Sequence, residues 1–279
     1  MRIGGLVHAR MTSERLPGKP LEKIGKQSAI QHLLDRMLAS EFLEPDRVVL
    51  CTTTDPRDDL LAATVAATGV SVFRGSTHDV IDRFYNAAAT HGFDAVVQVD
   101  GDDICADTLY MDAAMHELLA HDDLDIVISR GLPLGLASKA IRFSALERVY
   151  RSYIPGDNST GAFYYFLRSE LCRAAELGPV SPGHVHATAR LTLDEDADLA
   201  FFRAVFSELY TPGRIFGVDE LVGLLQRQPE LVEINAWLND AYYDRSDAHV
   251  ERERLRYRTP RGIREIDVAP RPGVWPYAA

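Results

Sequence analysis

Between Ala9 and Lys26 the chain carries five cations (Arg10, Arg15, Lys19, Lys23, Lys26) against two anions, Glu14 and Glu22. That local excess of three positive charges, five minus two, stands in a chain whose formal net charge is −11. Ser13, Pro17, Gly18 and Pro20 punctuate the stretch and mark it as a conformationally restricted loop. It follows Ile3–Val7, a short apolar run suited to a buried strand. A cationic loop directly after the first strand of an α/β chain is a place to hold a polyphosphate. Backbone N–H groups supply the cradle, Arg a forked donor and Lys a point charge. Position supports this reading, because ligands of open α/β sheets bind at the carboxyl ends of strands. The competing reading is a solvated surface loop, the ordinary fate of Lys and Arg. Neither G-x-x-x-x-G-K-[ST] nor G-x-G-x-x-G occurs here.

The second group with chemical potential is acidic. Asp100 and Asp102 leave one strand end, and Asp194 leaves another far along the chain. Carboxylates converging beside a phosphate cradle repel each other and the phosphates unless a cation lies between them. Mg²⁺ suits the position: it is hard and octahedral, bound by a couple of carboxylates plus phosphate oxygens and water. Asp102 serves equally well as a turn former, and Asp194 as a helix N-cap.

The elements that must position these groups alternate between strand and helix. Ile30, Leu33, Leu34, Met37 and Leu38 recur at helical spacing. Strands are expected at 47–51, 70–73, 94–99 and 125–129, with helices from Asp59 to about Thr68, at 79–91 and at 109–120. Repeated β–α units of this length imply a largely parallel sheet with right-handed crossovers. Past Arg130 the rhythm loosens. Strands are expected at 139–143, 162–167, 190–193 and 231–235, and helices at 144–153, from Asp194 and at 218–226. Turn-rich residues 155–161 interrupt the middle, and 258–279 reads as a Pro/Arg-rich tail. The expectation is one α/β domain over 1–279 with residues 131–189 as an acceptor-side or dimerisation insertion.

Composition sets the bounds. A chain of 279 residues with 46% hydrophobic and 25% charged residues can bury a sizeable core. The acidic balance argues against nucleic acid, whose backbone is bound through clustered cations. No apolar run approaches a membrane span, and the start lacks a signal-peptide pattern, so a cytoplasmic protein is expected. Cys51, Cys105 and Cys172 are too scattered for a disulfide framework or a zinc site. His8 reads as a satisfied buried histidine at the end of the first strand, and His184 and His186 as surface or polar-core residues. Trp237, Tyr242 and Tyr243 read as a dimer contact or core. Arg252, Arg254, Arg256, Arg258 and Arg261 read as a solvated face.

Arg10-Met-Thr-Ser-Glu-Arg-Leu-Pro-Gly-Lys-Pro-Leu21 resembles the signature of the cytidylyltransferases that make CMP-activated acidic sugars, with the spore-coat polysaccharide (SpsF-like) branch nearest. The likeness continues in Thr52–Asp59, Val72–Phe84 and Val96–Asp102, and returns in Arg190–Leu199 and Gln228–Asn235. The resemblance implies a GT-A-like, Rossmann-type nucleotidyltransferase fold, with CTP over the first strand and a homodimeric assembly. It implies a nucleotide site formed by Ala9, Arg10, Met11, Ser13, Arg15, Lys19, Thr53, Arg74, Ser76, Asp79 and Asp100. Arg10, Lys19 and Asp102 would be catalytic, and Asp102 with Asp194 would hold Mg²⁺. An acceptor oxyanion would attack the α-phosphorus and expel pyrophosphate, with positioning and charge neutralisation supplying most of the catalysis.

The chain departs from that branch in three places. Gly135-Leu-Ala-Ser-Lys139 stands where Gly-Leu-Asp-x-Glu is usual, and Asn158–Tyr165 replaces a His-Val-Thr-Pro-Tyr segment. Losing an acid and gaining Lys139 suits a small anionic acceptor, a nonulosonic-type sugar acid or a phosphonate. Asp100 stands where relatives carry an uncharged residue. Asp100-Gly-Asp102 can therefore also be read as the D-x-D of a GT-A glycosyltransferase using a nucleotide sugar. A non-catalytic nucleotide-binding module is the third reading, disfavoured because both Asp102 and Asp194 are retained.

Overall fold

The computed structural model describes residues 1–155 and 161–268. Most of the expected 155–161 turn and the end of the expected tail lie outside them. The chain opens with β1 (Ile3–His8), the cationic loop, a two-stranded ribbon of β2 (Lys23–Ile24) and β3 (Gln27–Ser28), and α1 (Ala29–Met37). Then come β4 (Val48–Thr53), α2 (Asp59–Ala66), β5 (Ser71–Gly75), α3 (Val80–His91), β6 (Ala95–Asp100), α4 (Thr108–Ala120) and β7 (Ile126–Ser129). The second half contains β8 (Lys139–Arg142), α5 (Phe143–Ser152), α6 (Tyr164–Leu167), β9 (Ala174–Leu177), α7 (Asp196–Leu209), α8 (Val218–Arg227) and α9 (Glu230–Glu233). It closes with α10 (Leu238–Arg252), β10 (Arg254–Thr259) and β11 (Gly262–Asp267).

Seven strands form one sheet in the order β5-β4-β1-β6-β8-β7-β9. β8 runs antiparallel to both its neighbours, while the other pairings are parallel. The central strands are apolar on both faces, as parallel strands covered by helices must be. Leu33, Met37, Leu61, Met111 and Met115 cover one face. Ile81, Phe84, Leu146 and Val149 cover the other. Each such side chain, fully buried, contributes about 1.5–3 kcal/mol of transfer free energy. A third cluster, built on Phe201, Phe202, Leu221 and Leu225, packs α7 and α8 beside the cationic loop through Leu16.

Three expectations are corrected. Residues 162–167, expected as a strand, contain α6; Tyr164, Tyr165 and Phe166 are all buried, and a short apolar run carries no period that separates strand from helix. The sheet edge is instead β9, whose residues are half exposed. Residues 231–235 contain the end of α9, where Leu231 and Val232 pack into the third cluster. Residues 190–193 form no sheet strand and make one isolated parallel bridge, Leu134 to Arg190.

The beginning of the expected tail is an antiparallel hairpin, β10–β11. Leu255 and Tyr257 are buried between exposed Arg254, Arg256 and Arg258. That is a period of two, and Arg254 and Arg256 pair across the hairpin with Glu265.

Candidate active site

β1 and β6 lie side by side with His8 opposite Asp100, so both strands end at one edge of the sheet. Gly101 makes the junction possible: a Cβ there would lie 2.4 Å from the His8 carbonyl oxygen, to which the Gly101 N–H donates at 3.0 Å. Asp102 is thereby delivered beside the start of the cationic loop. That loop is closed by Gly18, whose φ of +79° is natural only to glycine and whose N–H donates to the Met11 carbonyl at 2.9 Å. Asp194 arrives from the other direction. Glu195, not Asp194, is the N-cap of α7, and Asp198 accepts the N–H groups of both. The Asp194 carboxylate is left to point into the site.

Lys19 joins the two. Its Nζ donates to Asp102 Oδ2 at 2.7 Å and to Asp194 Oδ1 at 2.9 Å. Arg15 reaches the other Asp194 oxygen at 2.8 Å and Glu195 at 3.2 Å. Burial opposes the charge on Asp194, but Lys19 and Arg15 outweigh it and hold the carboxyl at about 2. Burial likewise opposes the Lys19 ammonium, and the two aspartates outweigh it and raise its pKa. Behind them the fully buried Arg190 donates to Asp198 at 2.8 and 3.1 Å and lies 3.4 Å from Asp194. Asn235 braces the pair, donating to Asp198 at 2.9 Å and to the Arg190 carbonyl at 3.0 Å.

A cavity of about 370 Å³ opens over this arrangement, lined by Ala9, Arg10, Ser13, Arg15, Lys19, Gly101, Asp102 and Asp194 together with His8 and Arg83. Glu14 lines it as well, so four formal cations face three carboxylates there, a balance suited to a polyanion that arrives with its own metal ion. A second cavity of about 430 Å³ adjoins it and shares His8, Arg15, Asp102 and Asp194. Its far wall is one face of α10: Tyr242, Arg245, Ser246 and His249 recur at helical spacing.

The sequence pattern that defines the cytidylyltransferases matches residues 5–192 of this chain. The chain belongs to the cytidylyltransferase family. This cytidylyltransferase is a CTP-dependent nucleotidyltransferase. It is 29% identical over 249 residues to the uncharacterised protein MJ1063 of Methanocaldococcus jannaschii, covering 87% of this chain and 98% of that one. It is 27% identical to the spore coat polysaccharide biosynthesis protein SpsF of Bacillus subtilis, covering 81% and 94% respectively. A 3-deoxy-manno-octulosonate cytidylyltransferase of Xanthomonas oryzae shares 34% identity over 43% of this chain and 46% of its own. Among solved structures, a cytidylyltransferase of Leptospira borgpetersenii superposes with a TM-score of 0.73 at 25% identity, covering 83% of this chain and 97% of that one.

Several expected nucleotide contacts lie outside the cavity lining. Asp58, fully buried, accepts the Met11 N–H at 2.7 Å, the Thr53 N–H at 3.2 Å and the Thr53 hydroxyl. Met11 and Thr53 therefore anchor the loop to β4. Arg74 donates to the carbonyls of Thr53 and Asp55 at 2.8 and 2.9 Å and pairs with Asp59 at 2.6 Å. The Ser76 hydroxyl accepts the His78 N–H. Asp79 caps α3 and takes the Tyr153 hydroxyl at 2.8 Å. Lys139 is buried, donates to Gln98 at 2.9 Å, lies 3.3 Å from Asp100 and sits 4.4 Å over the Phe163 ring.

Asp100 is committed to Gln98, at 2.8 Å, and to Lys139, which weakens the D-x-D reading of a metal site. Burial opposes its charge, and Lys139 and His8 overcome that and hold the carboxyl at about 2.

Two groups escaped the sequence reading. Arg83 on α3 is 1% exposed, lines the first cavity, and keeps its Nε and Nη1 without a hydrogen-bond partner. Only its place in the first turn of a helix beside the cationic loop could have flagged it. The other is the α10 wall: no helix is expected over 238–252, and Tyr242 and Tyr243 are expected in the core or at a dimer contact. Tyr242 lies 5.1 Å below the Arg190 guanidinium and borders the second cavity, and Trp237 is 68% exposed. Among the described residues, no helix is long and apolar enough to cross a membrane.

Proposed function

We propose that this cytidylyltransferase transfers CMP from CTP to a small anionic acceptor, a sugar acid of the nonulosonic type, in an Mg²⁺-dependent reaction that releases pyrophosphate. The observation that carries the reading is the meeting of Asp102 and Asp194 on Lys19 inside a cavity that Arg10, Arg15 and Arg83 also line. Two carboxylate oxygens that share one nitrogen are near enough for a single ion to take its place. Both are hard donors, and a triphosphate brings further oxygens, which is the set Mg²⁺ uses. No group of three protein ligands is present among the described residues, consistent with a metal carried partly by its nucleotide.

Bound there, Mg²⁺ would neutralise phosphate charge and make the α-phosphorus easier to attack. The chain's own groups do the rest. Lys19, released from the two carboxylates, Arg10 and Arg15 hold the phosphate oxygens. The shared edge of the two cavities brings the acceptor to the α-phosphorus, and fixed geometry replaces a bimolecular encounter. Arg15 and Arg245 in the adjoining cavity supply counter-charge for an acidic acceptor. The similarity to 3-deoxy-manno-octulosonate cytidylyltransferases supports a sugar acid.

The test is pyrophosphate release from each nucleoside triphosphate in turn across a panel of sugar acids. Release with CTP and an acid supports the reading. Transfer from a preformed nucleotide sugar, with no release from CTP, supports a glycosyltransferase instead.

A further inference from the structure

The two cavities meet at His8, Arg15, Asp102 and Asp194, and the reacting oxygen and phosphorus must meet there too. Asp102 and Asp194 are engaged by Lys19 here and are given to the metal ion in the proposed reaction, and Arg15 has no lone pair to offer. His8 is the remaining group, and it is not the satisfied buried histidine its sequence position suggests. Its Nδ1 is buried without a proper hydrogen bond, 3.3 Å from Asp100 Oδ1. Its ring packs edge-on against Phe84, 5.7 Å between centroids.

We propose that His8 is the general base that takes the proton of the acceptor hydroxyl, with Asp100 as the positioning residue that orients its ring. The proposal deepens the CMP-transfer reading and rests on it. A carboxylate facing Nδ1 favours the tautomer with the proton there, which leaves the Nε2 lone pair free. Asp100 is itself fixed, by the Gln98 amide at 2.8 Å and Lys139 at 3.3 Å, and Lys139 also holds Gln98 at 2.9 Å. The two departures from the family pattern, Asp100 and Lys139, are thus parts of one device, whose working end is His8.

The charges around the ring leave it able to accept a proton. Burial and the neighbouring Arg83 and Lys139 disfavour the imidazolium, Asp100 and Asp102 favour it, and the balance lowers the His8 pKa. In the step, the acceptor O–H bond breaks and its proton goes to Nε2. The oxygen forms a bond to the α-phosphorus, and the bond from that phosphorus to the bridging oxygen breaks, its electron pair leaving with pyrophosphate. A base at this point is of use to a hydroxyl and superfluous for a phosphonate oxyanion, which is already ionised at neutral pH. The acceptor nucleophile is therefore assigned as a sugar-acid hydroxyl.

The test compares the wild type, His8→Gln and Asp100→Asn by pyrophosphate release from CTP, with 3-deoxy-manno-octulosonate and with methylphosphonate, between pH 5 and 9, alongside CTP affinity by calorimetry. Expected for His8→Gln is a fall in kcat/KM of about 10²–10⁴-fold with the sugar acid, loss of the acidic limb of the pH profile, and unchanged CTP affinity. Asp100→Asn, which removes a charge that favours the imidazolium, moves that limb to lower pH. The double variant Asp100→Asn/Lys139→Gln, which leaves no unmatched buried charge, moves the limb the same way but less far, because Lys139 itself disfavours the imidazolium. A His8→Gln enzyme with the wild-type rate and pH profile overturns the proposal alone, as does a wild type faster with methylphosphonate. A wild type inert with CTP and every acceptor overturns the CMP-transfer reading and the proposal together.

Discussion

Asp102 and Asp194, distant in the chain and delivered by unrelated elements, present one oxygen each to the same ammonium, at 2.7 and 2.9 Å. One arrives through a turn that only Gly101 permits, the other through an extended run just before the α7 cap. Their segments also meet through the backbone, where the Leu193 N–H donates to the Asp102 carbonyl at 2.9 Å.

Asp102→Asn is therefore expected to lower pyrophosphate release from CTP by at least about 10²-fold, the scale for losing one preorganised electrostatic contact. Its melting temperature should stay near the wild-type value, because the side chain is 29% exposed and Lys19 keeps Asp194. A coincident loss of stability and activity would make Asp102 a structural residue.

Arg190 and Asp198 behave in the opposite way. Both are fully buried and joined by two hydrogen bonds, and Asp198 also accepts the backbone N–H groups of Asp194 and Glu195. Removing one member strands the other charge. Asp198→Ala should cost about 3–5 kcal/mol in urea unfolding. A cost under about 1 kcal/mol would mean that water or a side-chain rearrangement satisfies Arg190.

The outline of this site was legible in the sequence. Five cations after an apolar run, and acids at strand ends, are local patterns, and the alternation of strand and helix places both at one sheet edge. What stayed hidden depends on contacts across the fold. Thr53 and Arg74 fall within segments that resemble the family's motifs, yet Asp58 and backbone carbonyls absorb their bonding capacity. Lys139 was legible as an added charge but not as one facing inward to Asp100. The β10–β11 hairpin was written in the alternation of Arg254, Leu255, Arg256 and Tyr257, overshadowed by the abundance of arginine. Residues 162–167 and 231–235 are short apolar runs that either element accommodates, and packing decided both.

Arg83 is a buried guanidinium with Nε and Nη1 unpaired, beside cavity walls that already include Arg10 and Lys19. Burial lowers its pKa, so the folded protein carries this charge at a cost until an anion arrives. Arg83→Met should weaken CTP binding by about 10- to 100-fold, the worth of a hydrogen bond to a charged group, while the free protein melts no lower than the wild type. Calorimetric titration with CTP and a thermal melt check both halves. Unchanged CTP affinity would make Arg83 a packing residue.

Asp194 also sets an acid limit. Its carboxyl is held at about 2, below its ordinary value of 3.8, so the folded form binds fewer protons than the unfolded one in that window. Stability from this group is complete above about pH 4 and is lost as pH falls through about 2. Melting temperatures between pH 5 and 2 should fall more steeply in the wild type than in Asp194→Asn. Parallel curves would mean that the Lys19 and Arg15 contacts do not hold in solution.

The grip on a metal-bound triphosphate is tested most directly by calorimetric titration of CTP with and without Mg²⁺, on the wild type, Asp102→Asn and Asp194→Asn. Expected is a tightening of wild-type CTP binding by Mg²⁺ that is absent from both variants. An equal Mg²⁺ effect in all three proteins would contradict the assignment of Asp102 and Asp194 to the metal.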